Sequence, residues 1–272
     1  MKRKLKVFIR DILNILSRTE LKILPGNIAF FALMSIVPLV GLIGSILTNL
    51  RVNTKAIIEL VSLIVPVDTA MLITDGLSNG NLTVIGTIFF VIMALYVASN
   101  LTSSIILASN SIYGFPQTSA LERRIKAFVM VFLMIPVVCI SIIVPAFEVS
   151  VYETLASAPN PISSLETIRM IYQILEVPFG MLLIFINIKI LYTVAPDKPV
   201  KSSETTSGAI FTTISWYIAV LIYRIYAVSA VGNYSILYGS LANIIILLLW
   251  LYILAYLFTI GMGINVVYKN NE

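Results

Sequence analysis

The chain has 272 residues, of which 59% are hydrophobic and 11% charged. Soluble domains are close to half apolar and about a quarter charged, so these values exclude an ordinary soluble domain and indicate a surface that faces lipid. The net charge is +5, and the chain has no histidine and one cysteine, Cys139. We therefore expect no disulfide within the chain, no catalytic triad, no metal site, no cofactor and no enzymatic activity.

The basic N-terminal segment is predicted to form an amphipathic helix over residues 4–18. Its apolar residues share one face at helical spacing, and its basic residues cover the other. This pattern is typical of a helix that lies in the lipid interface and is attracted to anionic lipid, although packing on the ends of the spanning helices is an alternative. The sequence Leu24-Pro25-Gly26-Asn27 predicts a helix break, so we assign 1–24 to this interfacial segment.

Six apolar stretches follow, and each has the roughly 20 residues that a helix needs to cross hydrocarbon. They lie at about 28–50, 82–108, 127–150, 169–195, 207–228 and 238–267. The stretches are continuous and do not alternate with polar residues, which favours helices over strands. The predicted fold class is all-α, a polytopic membrane protein with about six transmembrane helices in one domain, 25–268, and a short tail, 269–272.

The basic residues outside the spans predict the orientation. Thirteen lie in the N-terminal segment, the second and fourth loops and the tail, whereas three lie in the first and third loops. By the positive-inside rule, both termini are expected in the cytoplasm. Because these charges sit in short loops between apolar runs, they indicate orientation and not a nucleic-acid partner.

Two groups of residues resemble a known family. The first span contains Ala29-Phe30-Phe31-Ala32-Leu33-Met34-Ser35-Ile36-Val37-Pro38, and the second half contains Gly208-Ala209-Ile210-Phe211, Trp216, Tyr226, Tyr234, Tyr238-Gly239-Ser240-Leu241 and Leu247-Leu248-Leu249-Trp250-Leu251-Tyr252. These resemble the YihY/BrkB family of bacterial inner-membrane proteins. Near its end the family often has GAELN, whereas this chain has Gly261-Met262-Gly263-Ile264-Asn265 and lacks the acid.

The resemblance implies a six-helix protein of the bacterial inner membrane with cytoplasmic termini, and the family has carried both ribonuclease and virulence-factor labels. The residues disfavour a nuclease. The acids in the predicted inner loops are Glu122, Asp197 and Glu204, which are too dispersed along the chain for a two-metal site.

Ionisable residues within spans suggest a functional site, because they are costly in hydrocarbon. With the predicted topology, Glu148, Glu176 and Arg224 all fall in the outer third of the bilayer. We predict that Arg224 and Glu176 share an outward-facing polar cavity, with Glu148 at its rim and Tyr172, Tyr223 and Tyr226 near its mouth. Arg224 would bind the phosphate or carboxylate of a ligand. A purely structural ion pair is the alternative.

Polar residues also recur at helical spacing on other spans, including Asn100 with Tyr96, Ser99 and Ser103, Asn187 with Glu176, and Tyr252 with Tyr256. They would line a hydrated cavity or hold helices together by hydrogen bonds. These features favour a transporter or flippase-like protein that handles a lipid or an anionic small molecule. A non-catalytic structural or scaffolding protein is the alternative. The expected partners are membrane lipids.

Overall fold

The computed structural model describes residues 10, 14, 17, 19–49, 84–156, 165–238 and 241–271. Within these residues the chain forms six long helices: α1 (Thr19–Asn49), α2 (Val84–Tyr113), α3 (Ala120–Ala156), α4 (Leu165–Val194), α5 (Thr206–Tyr238) and α6 (Leu241–Asn271). All of them except α3 contain a described stretch long and apolar enough to cross a membrane. The predicted all-α polytopic membrane fold is confirmed.

Two predicted elements are described only in part. The third predicted span, 127–150, lies inside α3, but most of its side chains beyond residue 137 are outside the described residues. The interfacial helix predicted for residues 4–18 is also outside them, except for residues 10, 14 and 17.

The outer surface of the described helices is apolar. Val37, Ile92 and Ile222 are 70%, 61% and 62% exposed, and they belong to three different helices. In water such a surface would drive aggregation, whereas in a bilayer it matches the solvent. Lipid therefore covers the helices, and packing within the bundle is left to the inward faces.

Some helices begin or end at different residues from those predicted, because local capping sets their ends. Helix α3 begins at Ala120, where the Ser119 N–H donates to Glu122 Oε2 at 3.3 Å and the Glu122 N–H donates to Ser119 Oγ at 3.3 Å. This reciprocal pair is a capping box. Helix α2 ends at Tyr113, the φ of 68° at the following Gly114 lets the chain leave the helix, and the Phe115 N–H donates to Asn110 O at 2.8 Å.

The break predicted at Leu24–Asn27 was wrong. Helix α1 runs without interruption from Thr19 to Asn49 and contains both Pro25 and Pro38. A proline removes one backbone donor, but spanning helices tolerate this where neighbouring groups satisfy the freed carbonyl. Pro25 is buried in the bundle, so tertiary packing overrides its preference for a turn.

The helices pack in chain order, and the last helix also packs on the first two. Contacts join α1 to α2, α2 to α3, α3 to α4, α4 to α5 and α5 to α6, while α6 also packs on α1 and α2. The buried core includes Ile106, Ile112, Met130, Tyr192 and Met262. It lies near the 114–119 and 195–205 loops.

We call this end of the bundle the basic end, because it carries Arg123, Arg124, Lys126, Lys198, Lys201 and Lys269. It is the end predicted to face the cytoplasm.

Candidate functional site

A salt-bridged junction ties the two loops of the basic end together. Lys126 Nζ lies 2.8 Å from Asp197 Oδ1, and it also donates to the carbonyls of Ala195 at 2.9 Å and Pro196 at 2.6 Å. The other carboxylate oxygen accepts from Thr118 Oγ1 at 2.9 Å and from the Asn110 amide. The start of α3, the end of α2 and the α4–α5 loop are therefore joined through one carboxylate.

The carboxyl group of Asp197 is held in its charged form. Partial burial by itself raises its pKa, but hydrogen bonds from Lys126, Asn110 and Thr118 and the charge of Lys126 outweigh burial and lower the pKa below the ordinary value of 3.8. Asn110 is fully buried and also accepts from the Asp197 backbone N–H at 2.9 Å. Both carboxylate oxygens of Asp197 therefore accept hydrogen bonds that stabilise the junction.

A second polar contact lies deeper, where α4, α5 and α6 meet. The hydroxyl of Tyr192 lies 2.7 Å from Thr212 Oγ1 and donates to Phe258 O at 2.7 Å. Tyr192 is 1% exposed, so its hydroxyl needs these partners. The contact pairs polar groups within a membrane core and is typical of helix–helix adhesion.

Two glycines let α5 and α6 approach each other beside this contact. A Cβ atom on Gly208 would collide with the backbone oxygen of Gly261, and it would lie 2.5 Å from Asn265 Oδ1. The Gly208 N–H, in the first turn of α5, donates to Asn265 Oδ1 at 2.7 Å. Asn265 therefore satisfies one of the backbone donors that a helix start leaves free.

Two arginines at the start of α3 engage the polar face of α2. Arg123 Nε donates to Ser103 Oγ at 3.3 Å, and Arg124 Nη1 donates to Asn100 Oδ1. The guanidinium carbon of Arg124 is 4.6 Å from the centre of the Tyr96 ring. The polar face predicted on the second span is therefore matched by cations from the third helix.

An apolar groove lies between α5 and α6, farther from the basic end than the glycine contact. Its volume is about 590 Å³, and it is lined by Ser215, Ile218, Ala219, Ile222, Tyr223, Ile246, Leu249, Trp250, Ile253 and Leu257. The rings of Tyr223 and Trp250 lie with their centres 5.0 Å apart. The indole N–H of Trp250 is buried and has no hydrogen-bond partner among the residues that the structure describes.

The described members of the predicted cavity each have contacts of their own. Asn100 contacts Arg124, whereas Asn187 Nδ2 donates to Leu183 O of its own helix at 3.0 Å. Tyr252 and Tyr256 are 37% and 40% exposed and stack on each other with ring centres 6.2 Å apart. Tyr223 lines the apolar groove.

The side chains of Arg224, Glu176, Glu148, Tyr172 and Tyr226 lie outside the described residues. Their shared cavity stays a prediction.

Helical periodicity identified the polar residues but not the residues that they contact. The periodic face containing Asn100 and Ser103 was visible, but Arg123 and Arg124 were interpreted only as loop charges that set orientation. The sequence Ser119-Ala120-Leu121-Glu122 has the spacing of a capping box, which predicts that α3 begins at Ala120. Asp197 had no sequence signal for its partners, which are 71 and 87 residues away.

The sequence profile of the family described as Virulence factor BrkB matches residues 14–272. The chain belongs to this family. One residue that carried the resemblance now has a structural role, because Gly208 forms the close contact between α5 and α6 with Gly261 and Asn265.

Curated relatives cover most of the chain. It is 25% identical over 248 residues to YfkH of Bacillus subtilis, whose name calls it ribonuclease-like, with 88% of this chain and 87% of that protein covered. It is 22% identical over 273 residues to a UPF0761 membrane protein of Vibrio vulnificus, covering 97% of this chain and 83% of the relative. A UPF0761 membrane protein of Vibrio campbellii is 24% identical over 275 residues, with the same coverage. No solved structure matches significantly.

Proposed function

We propose that this integral membrane protein of the BrkB family is a non-catalytic transporter of the flippase type, which handles a lipid or another amphipathic anion. We further propose that it resides in the bacterial inner membrane with its basic end in the cytoplasm. The observation that carries the proposal is the apolar groove between α5 and α6. Its volume of about 590 Å³ lies within the range of roughly 300–1,000 Å³ that is usual for sites that bind small molecules.

The lining of the groove suits an acyl chain with a polar group nearby. Aliphatic side chains from both helices form its walls, and Trp250 contributes a buried N–H without an acceptor. A buried donor of this kind gains stability when a ligand supplies an acceptor, such as an ester carbonyl. The lining on α5 ends at Tyr223, and the next residue in the helix is Arg224, the predicted anion-binding residue.

The position of the groove also supports this function. Ser215 and Tyr223 lie 9 and 17 residues beyond Thr206, which places the groove about 14–26 Å along α5 from the basic end. The salt-bridged junction and the Tyr192 contact pack the basic end closely, whereas the groove opens between helices farther away. A groove of this kind is suited to a ligand that enters from the lipid.

The name of the Bacillus subtilis relative raises a ribonuclease as a second function, and the described acids argue against it. Asp197 is committed to Lys126, Glu204 lies 3.1 Å from Lys269, and Glu122 belongs to the capping box of α3. Every acidic side chain described at the basic end is thus engaged in a structural contact. None is positioned as a free ligand for a catalytic metal ion.

Blocking the groove tests the proposal. Ala219→Trp places a large ring among the lining residues, and Val220→Trp adds the same ring at the adjacent exposed residue outside the lining. Both proteins are reconstituted in liposomes with fluorescent phosphatidylglycerol, and access of the label to an impermeant reductant is measured. We expect wild type and Val220→Trp to expose inner-leaflet label and Ala219→Trp to do so several-fold more slowly. Wild-type liposomes that match protein-free ones would overturn the proposal.

The structural alternative is favoured by the closely packed basic end, where the described carboxylates and buried hydroxyls serve adhesion. A scaffolding protein would tolerate Ala219→Trp and would move no lipid in the same liposomes. The assay therefore separates the two functions directly.

A further inference from the structure

The two arginines on the α2–α3 face have an unusual direction. Thr102 Oγ1 donates to Ala127 O at 3.0 Å, which fixes the register of these antiparallel helices. Arg124, three residues before Ala127, is therefore level with Ile105. Its partner Asn100 lies five residues farther from the basic end, or about 7.5 Å along the helix axis. The guanidinium is thus directed along the helices, away from the basic end.

This direction is the opposite of the usual one. A long cationic side chain near a helix end normally extends toward the nearer water and keeps its charge in the interface. Asn100 lies next to the midpoint of the apolar span Ile88–Tyr113, so the Arg124 guanidinium lies beside the apolar span and not beyond its end. A cation there is costly unless an anion or water accompanies it.

The described contacts leave both charges without an anionic partner. A guanidinium has five N–H donors, and the structure gives Arg123 and Arg124 one hydrogen bond each, to a hydroxyl and to an amide oxygen. The described ion pairs are Lys126–Asp197 and Lys269–Glu204, which use other basic residues. Among the residues whose side chains are described, no carboxylate therefore neutralises either arginine.

The surroundings of Arg124 hold it in place and leave it open on one side. Its guanidinium carbon lies 4.6 Å from the Tyr96 ring centre and 5.6 Å from that of Phe128, which are cation–π distances. Tyr96 is 53% exposed, so the site opens laterally on the lipid-facing surface of α2. An oriented, partly desolvated guanidinium is suited to bidentate contact with phosphate, and Arg123, the preceding residue, contacts the same helix through Ser103.

We propose that Arg123 and Arg124, positioned by Ser103, Asn100 and Tyr96, form a binding site for a phosphate group. The phosphate belongs to a phospholipid headgroup or to a soluble phosphate compound. The site lies on α2 and α3, whereas the groove lies between α5 and α6. Phosphate binding at this site does not require that the protein move lipid. A binding assay can therefore support it even if the transport proposal fails.

The test uses the full chain in neutral detergent. Its melting midpoint is followed while phosphatidic acid, phosphatidylcholine or inorganic phosphate is added. Arg124→Gln removes the guanidinium that is proposed to bind the phosphate. Lys201→Gln is the matched control, because it removes an exposed charge from the same end of the bundle. Because a charge-assisted hydrogen bond is lost, we expect about 10-fold weaker binding of phosphatidic acid by Arg124→Gln and unchanged binding by Lys201→Gln.

Comparing phosphatidic acid with inorganic phosphate also identifies the source of the phosphate. Stabilisation by phosphatidic acid and not by inorganic phosphate assigns a lipid headgroup, whereas stabilisation by inorganic phosphate with the same dependence on Arg124 assigns a soluble ligand. If Arg124→Gln does not fold, Arg124→Lys keeps the charge but removes the planar fork, and the same weakening is expected. Equal binding by wild type and the Arg124 variant, or equal losses in Arg124→Gln and Lys201→Gln, would overturn the proposal.

Discussion

The close contact between α5 and α6 at Gly208 gives a sharp stability prediction. In Gly208→Ala, the new methyl group would lie 2.5 Å from Asn265 Oδ1 and 2.7 Å from Asn265 Cγ, and it would collide with the Gly261 carbonyl oxygen. One of these atoms belongs to the backbone, so a side-chain rotation cannot relieve the clash. Helices α5 and α6 must separate, and the hydrogen bond from the Gly208 N–H to Asn265 lengthens or breaks.

The magnitude follows from these two effects. Overpacking a close contact costs about 1–3 kcal/mol, and losing the hydrogen bond costs about 1 kcal/mol more, which together give about 2–4 kcal/mol. We therefore expect Gly208→Ala to lower the free energy of unfolding by about 3 kcal/mol. For a chain of this size this corresponds to a fall in melting midpoint of roughly 6–12 °C.

Gly180→Ala is the matched control. Gly180 also lies within a helix, but a Cβ atom there would meet nothing within 4 Å. Alanine has the higher helix propensity by roughly 1 kcal/mol, so this variant should be neutral or slightly more stable. Both proteins are heated in detergent and the folded fraction is measured by size-exclusion chromatography. Equal midpoints for the two variants would refute the close-contact reasoning.

Two further predictions concern the junction and the orientation. The pKa of Asp197 is lower in the folded protein than its ordinary value of 3.8. Its contribution to the free energy of unfolding is therefore present above about pH 4 and is lost as the pH falls through the folded-state pKa. Asp197→Asn should cost about 2–3 kcal/mol at pH 7 and show less acid destabilisation than wild type, measured as melting midpoint between pH 3 and 7; a parallel pH profile would contradict this role. When cysteines are placed at residues 1 and 272, neither should be labelled by an impermeant thiol reagent in intact cells. Labelling of either one would contradict the predicted topology.

The sequence by itself determined the class of fold. Long apolar runs with few charges have no stable soluble arrangement, and in hydrocarbon the backbone must satisfy its own hydrogen bonds, so these runs become helices. The resemblance between residues 208–252 and the family was also visible without a structure, as were the periodic polar positions Asn100 and Ser103.

The tertiary structure decided which polar groups meet. Asn100 pairs with Arg124, and Asp197 joins Lys126 and Asn110 across 71 and 87 residues. Helical periodicity assigns a residue to a face of its own helix, but a contact between helices depends on their register and distance of approach. Those are set by the whole packed bundle, through features such as the Gly208–Gly261 contact, and the local pattern of residues does not specify them.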